Sequence, residues 1–147
     1  EIESGLKIKF ALSPKTINEN LPNLLKGIDY SIGNTATLVK NSSAVLAHTS
    51  TSMSYAILFK KPIIFLTSNE LIKSWVGPRI DACAKTINSR PINISNNSNE
   101  KLDLQSLLKM DEGKYKNYLD QYLKVPNSPE TPLWEIFVEY LKNRNYT

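Results

Sequence analysis

Ala44-Val45-Leu46-Ala47-His48-Thr49-Ser50-Thr51-Ser52 sets four apolar residues directly before five polar ones. A short apolar run that ends in polar side chains is the pattern of a buried strand surfacing into a turn. Met53, Ala56, Ile57 and Phe59 then recur at helical spacing, and Lys60-Lys61-Pro62 stops that helix before a second apolar run, Ile63-Ile64-Phe65-Leu66. Strand, hydroxyl-rich turn, helix and strand in this order predict that residues 43–47 and 62–66 are adjacent parallel strands. A right-handed crossover through one helix normally returns the chain to a neighbouring position. In open α/β sheets ligands collect beyond the carboxyl ends of the strands, and a helix starting there offers free N–H groups to an anion. One reading of the turn is therefore a phosphate-bearing ligand at Ser50, Thr51 and Ser52. Ser and Thr are also ordinary helix caps, because a hydroxyl oxygen accepts a hydrogen bond from the first turn. One hydroxyl is enough for a cap, whereas here Thr49, Ser50, Thr51 and Ser52 follow one another beside the only histidine, His48.

Toward the amino end, Leu6-Lys7-Ile8-Lys9-Phe10-Ala11-Leu12 reads as a strand and Ser13-Pro14-Lys15-Thr16 as a loop, since proline restricts the residue before it and cannot donate to a ladder. Residues 20–26 predict a short helix with Leu21, Leu24 and Leu25 inward and Gly27 as its stop. Residues 28–32 predict a strand, Gly33-Asn34-Thr35 a turn, and Thr35 the cap of a helix through Ala36, Leu38 and Val39. Beyond Leu66, Thr67-Ser68-Asn69 is a strand-end loop before a helix over 70–76, Gly77-Pro78 breaks it, and 79–86 form another. Residues 91–94 are the last strand, followed by a polar tract over 95–100. From Leu102 the spacing is helical: Leu104, Leu107 and Leu108 form one stripe, and Tyr115, Tyr118, Leu119, Tyr122 and Leu123 a second that reads as the rim of a core. After the stiff segment Val125-Pro126-Asn127-Ser128-Pro129-Glu130, Thr131 is placed to cap a final helix with Pro132 at its first position and Leu133, Ile136, Phe137, Tyr140 and Leu141 on its apolar face. The expected fold class is α/β, a Rossmann-like parallel sheet with helices on both faces and a helical C-terminal tail. The division is residues 1–125 for the Rossmann-like domain and 126–147 for linker and final helix.

A chain of 147 residues, 41% of them hydrophobic, can bury a core without disulfides or metal. The formal charge of +4 comes from scattered lysines with no arginine-rich run, which reads as a solvated basic surface and against a nucleic-acid partner. No apolar run approaches the ~20 residues of a membrane span, and no signal-peptide pattern opens the chain. The expectation is a cytoplasmic protein, at most peripheral to the inner membrane face. Cys83 is alone and lies in an apolar-periodic stretch, the position of a small packed residue. No His, Cys and carboxylate set has metal-ligand spacing, so no metal is expected. The chain opens on Glu1 and runs almost directly into a strand pattern, which suggests a piece of a longer protein.

Two blocks together carry a resemblance. Ile28-Asp29-Tyr30-Ser31-Ile32-Gly33-Asn34-Thr35-Ala36-Thr37-Leu38-Val39-Lys40, and the stretch from Ala44 to Ser52 with Ala56-Ile57-Leu58-Phe59-Lys60-Lys61-Pro62-Ile63-Ile64-Phe65-Leu66, resemble the C-terminal half of bacterial surface-carbohydrate and capsule-polysaccharide biosynthesis proteins, which are similar to GT-B glycosyltransferases. The resemblance covers about the first half of the chain. It implies a nucleotide-sugar donor bound as substrate, with no cofactor and no metal, and residues 1–125 as the nucleotide-sugar-binding domain. Lys15, His48, Thr49, Ser50, Thr51 and Ser52 would hold the phosphates, and Ser13, Pro14, Gly33, Asn34, Thr35 and Tyr55 would lie near the base and ribose. His48 is the candidate for orienting the phosphate or assisting the leaving group, and Lys15 for neutralising charge. Two positions depart from the pattern: Ser13 stands where a histidine often precedes the proline, and Tyr55 where a glutamate often grips the ribose.

The resulting expectation is the donor-binding domain of a metal-independent glycosyltransferase of surface-polysaccharide synthesis, inactive by itself. Its partners would be a nucleotide sugar, a glycan or lipid-linked acceptor, and an N-terminal domain of the same protein. Two alternatives stay open: a nucleotide-sugar epimerase of the same fold, and a non-catalytic carbohydrate-assembly module.

Overall fold

Ile63, Ile64 and Phe65 are all buried, the signature of a strand with neighbours on either side. The computed structural model describes residues 5–15, 25–96 and 102–144. In chain order these form β1 (Phe10–Leu12), β2 (Tyr30–Ile32), α1 (Thr35–Asn41), β3 (Val45–Ala47), α2 (Ser52–Leu58), β4 (Ile63–Thr67), α3 (Asn69–Lys73), α4 (Gly77–Thr86), β5 (Ile92–Asn93), α5 (Leu104–Leu107), α6 (Glu112–Tyr118) and α7 (Leu133–Asn143). A π-helical turn, Leu119–Leu123, continues α6 and closes with the Lys124 N–H on the Leu119 carbonyl at 2.9 Å.

The strands form two small parallel sheets, β1-β2 and β3-β4-β5. Val45, Leu46 and Ala47 pair with Ile63, Ile64 and Phe65, the parallel β3-α2-β4 unit expected from the opening stretch. Leu66 and Thr67 pair with Ile92 and Asn93. Phe10, Ala11 and Leu12 pair with Tyr30, Ser31 and Ile32. One continuous sheet was expected; instead β1 and β3 each have a single strand partner among the described residues, so each keeps an open edge. The first strand is also shorter than its apolar pattern: the ladder with β2 runs only from Phe10 to Leu12, and Leu6 and Ile8 remain more than two-fifths exposed.

Phe65 and Ile80 are fully buried at the centre of the core. Met53, Ala56 and Ile57 reach it from α2, and Ile80 and Ala84 of α4, with Ile87 just beyond, repeat the same helical spacing. Burying side chains of this size contributes about 1.5–3 kcal/mol each. Cys83 packs, half-buried, against the core as expected. Tyr115 is buried and closes the amino end of β4: its hydroxyl accepts from the Ile63 N–H at 3.1 Å and donates to the Lys61 carbonyl at 3.0 Å. Tyr118 packs beside the core, and Tyr122 reaches solvent with its ring 4.9 Å from that of Tyr118, so the expected rim is present.

Several boundaries differ from the expectation for local reasons. Residues 70–76 give only the five-residue α3, whose cap is Ser68 accepting from the Leu71 N–H at 3.2 Å. The next helix starts at Gly77 instead of residue 79, because Pro78 fits the first turn of a helix and Gly77 admits a close approach. A Cβ on Gly77 would stand 2.7 Å from the Ile72 carbonyl oxygen. Thr35 is the first residue of α1, not its cap. Thr131 does not cap α7; Pro132, extended at ψ 140, takes that place and its carbonyl accepts from the Glu135 N–H at 2.9 Å. The helix expected over 20–26 lies largely outside the described residues, as does most of the polar tract after Asn96. Leu133 and Trp134 of α7 are 81% and 71% exposed, with Phe137 and Tyr140 also open. No helix among the described residues is long and apolar enough to cross a membrane.

Candidate functional site

Because β3, β4 and β5 are parallel, the segments that follow them share one edge of the sheet. His48 follows β3 and its Nδ1 lies 2.8 Å from the Leu66 carbonyl oxygen of β4. A carbonyl only accepts, so Nδ1 carries the hydrogen and Nε2 is left for a ligand. The ring is therefore held across two strands although it is solvent-exposed.

The hydroxyls after His48 are divided between structure and availability. The Ser50 Oγ accepts from the Ser52 N–H at 3.1 Å and from the Ser52 hydroxyl at 2.8 Å. Ser50 is thus the cap of α2 in chemical terms, and its own hydroxyl hydrogen is not used in either bond. The hydroxyls of Thr49, half-buried, and Thr51, exposed, have no hydrogen-bond partner among the described residues. With only seven residues, α2 offers a short dipole, so hydroxyl donors and His48 are what this turn presents to an anion.

A second group of expected residues gathers at the ends of β1 and β2. The Ser13 Oγ accepts from the Lys15 N–H at 3.2 Å, and the Gly33 N–H donates to the Leu12 carbonyl at 3.4 Å. Gly33 holds φ 75, where a side chain is strained, and the place its Cβ would take is 4.0 Å from Pro14 Cγ. The Asn34 Nδ2 donates to the Ser31 Oγ at 3.5 Å. Lys15 is exposed and has no carboxylate partner among the described residues. The structure therefore brings Ser13 and Pro14 to Gly33, and His48 to β4. Helix α1 packs on both β1 and α2, and no hydrogen bond joins the two groups. Tyr55, on α2, is 40% exposed and its hydroxyl is unpartnered among the described residues.

Sequence reasoning did not single out the polar groups after β4 and β5 as site residues. The Asn69 N–H donates to the Ser95 Oγ at 3.0 Å, the Asn93 Nδ2 donates to the Asn69 Oδ1 at 2.9 Å, and the Ser95 N–H donates to the Asn93 Oδ1 at 3.0 Å. Hydrogen bonds from the Ser68 side chain, the Glu70 backbone and the Ser95 side chain hold the Glu70 carboxyl below the usual carboxylate range despite slight desolvation. The signal was present in Thr67-Ser68-Asn69 and Asn93-Ile94-Ser95, two polar segments placed after paired strands. Among the described residues no group of three or more His, Cys, Asp or Glu could hold a metal ion.

Comparisons of the chain with protein-family models, with curated proteins and with solved structures each found no match.

Proposed function

We propose that this chain is the donor-binding half of a glycosyltransferase that draws a sugar from a nucleotide sugar for bacterial surface-polysaccharide synthesis. The observation that carries the proposal is the anchored His48. Its Nδ1–H bond to the Leu66 carbonyl fixes the ring at the carboxyl edge of the β3-α2-β4 unit and leaves Nε2 unused, in the same turn of chain as Thr49, Ser50 and Thr51. Hydroxyls that keep an unspent hydrogen can donate to phosphate oxygens, and a basic nitrogen beside them can hold or protonate a leaving phosphate. Lys15 would neutralise charge on the phosphate, and the loop of Ser13 and Pro14 against Gly33 would lie toward the base and ribose. The sequence resemblance supplies the donor class, a nucleotide sugar, and the class of synthesis. The acceptor, glycan or lipid-linked, and an N-terminal domain would complete the reaction in the cytoplasm. Both walls of such a cleft are needed to bring the reacting atoms to about 3 Å.

The test is a titration of the purified chain with UDP-, CMP-, GDP- and CDP-linked sugars followed by NMR. One member of the panel should bind and shift the amides of residues 48–52. Thr51→Ala with Ser52→Ala should weaken that binding. Failure of the whole panel to bind, or equal affinity in the double variant, overturns the assignment. Multiple-turnover sugar transfer by this chain alone would overturn the requirement for a second domain.

A further inference from the structure

A cavity of about 220 Å³ opens at the other end of β4, away from His48. Its lining is mostly polar, with Arg90, Ser106 and Lys109 at the rim, and its smaller apolar part comes from Leu107 and the edges of the buried Ile63 and Ile87. Three elements fix its shape. Asn88, at φ 57, ends α4 in the left-handed conformation, and the Ser89 N–H returns to the Ala84 carbonyl at 2.9 Å. The Asn88 Nδ2 then donates to the Asp111 Oδ2 at 3.0 Å, tying the end of α4 to the start of α6. Tyr115 forms the third wall, with its hydroxyl fully engaged by Ile63 and Lys61.

Two cations at the rim of this cavity form no ion pair: neither Arg90 nor Lys109 has a carboxylate partner among the described residues. The carboxylates nearby accept hydrogen bonds from neutral groups. Asp111 receives the Asn88 amide on one oxygen and the Lys114 N–H at 3.0 Å on the other, and these bonds hold its carboxyl below the ordinary range. Asp103 receives the Ser106 N–H at 3.3 Å as the cap of α5. The Ala84 and Lys85 carbonyls at the end of α4 accept from the Ile87, Asn88 and Ser89 N–H groups. The unspent groups at the rim include three donors, a guanidinium, an ammonium and the Ser106 hydroxyl, beside one acceptor, the Asn88 Oδ1.

We propose that this cavity is a binding site for a small organic anion, a carboxylate or phosphate on a compact apolar body. The charged head would sit between Arg90 and Lys109 and the body against Ile63, Ile87 and Leu107. The volume is below the roughly 300 Å³ at which pockets for larger ligands begin. A nucleotide sugar does not fit it, so the site is separate from that proposed at His48. Guanidinium and ammonium groups attract an anionic head even where, as here, both are exposed and water competes for them.

The test uses the whole chain, ¹⁵N-labelled, titrated with benzoate, phenyl phosphate, inorganic phosphate, benzyl alcohol and benzylamine. Benzoate or phenyl phosphate should shift the amides of Ser89, Arg90, Ser106 and Lys109 and raise the melting temperature. Benzyl alcohol and benzylamine should bind about tenfold more weakly or not at all. Arg90→Gln with Lys109→Gln should weaken the anion by about tenfold. The unliganded melting temperature should not move, because both residues are exposed and unpaired. Equal binding of benzyl alcohol, shifts confined to other residues, or unchanged affinity in the double variant would overturn the proposal. Inorganic phosphate binding as tightly as phenyl phosphate would overturn the role of the apolar wall.

Discussion

Replacing Tyr115 by Phe removes one oxygen and keeps the ring, which isolates the clasp at the start of β4. That oxygen accepts from the Ile63 N–H and donates to the Lys61 carbonyl. Ile63 is 4% exposed, so its N–H loses its partner where water reaches it poorly, a cost of about 1–3 kcal/mol. The half-buried Lys61 can exchange its bond for one to water at little cost. The expected destabilisation is about 2 kcal/mol, or a melting temperature lower by about 6 °C for a domain of this size. Urea unfolding followed by far-UV circular dichroism measures it, with the slope against urea unchanged. The same hydroxyl gives an independent pH signature. Burial raises the Tyr115 phenol from 10.0 to about 12, opposed by its bond to Ile63. The neutral form is therefore favoured in the folded state, and the contribution is complete below pH 10 and is lost as pH rises from about 10 to about 12. Allowing for solvent near the hydroxyl, the loss is about 2 kcal/mol. It should appear as a difference between wild type and Tyr115→Phe, since other groups that titrate in that range are common to both. A variant within about 0.5 kcal/mol of wild type, a quarter of the expected effect, with the same alkaline profile, would refute the reasoning.

Three other outcomes are expected. Gly77→Ala should destabilise by about 2 kcal/mol or more, because its Cβ meets backbone at 2.7 to 2.9 Å around Leu71 and Ile72; a melting temperature equal to wild type would count against that close approach. Ser50→Ala should cost about 1 kcal/mol and Ser52→Ala clearly less, since Ser50 is the acceptor of both bonds in the turn, and chemical denaturation of the two variants ranks them. Leu133→Gln with Trp134→Gln should leave thermal stability within about 0.5 kcal/mol of wild type, as both side chains are largely exposed, and a calorimetric loss beyond that would show that α7 is packed.

The part of the fold legible in the sequence is the part whose information is local and periodic. Ala44 to Ala47 and Ile63 to Leu66 announce buried strands, and the spacing of Met53, Ala56 and Ile57 announces the helix between them, so the β3-α2-β4 unit could be read directly. The separation of β1-β2 from β3-β4-β5 depends on which strand edges meet, and no residue pattern within a strand records its partner. At the candidate site, the succession of hydroxyls beside His48 was visible, but their division of labour was not. Ser50 and Ser52 differ only by their place relative to the first turn of α2, a matter of one residue in the helix boundary. The anchoring of His48 on Leu66 was hidden for another reason: its partner is a backbone carbonyl 18 positions away, available from any residue type. The cavity beside Arg90 and Lys109 was likewise illegible, being made from three segments that meet only after folding.

The clasp at Tyr115 also has a consequence for kinetics. Its bonds to Ile63 and Lys61 span 52 and 54 residues, whereas β3, α2 and β4 are joined through one short crossover. Contacts that close long loops carry a larger entropic cost before they are rewarded, so the β3-α2-β4 unit can assemble first and Tyr115 dock onto it afterwards. In that order the hydroxyl stabilises the native state without lowering the barrier to reach it. Tyr115→Phe should then speed unfolding and leave the folding limb of the chevron nearly unmoved; a slowed folding limb would place the clasp in the nucleus instead.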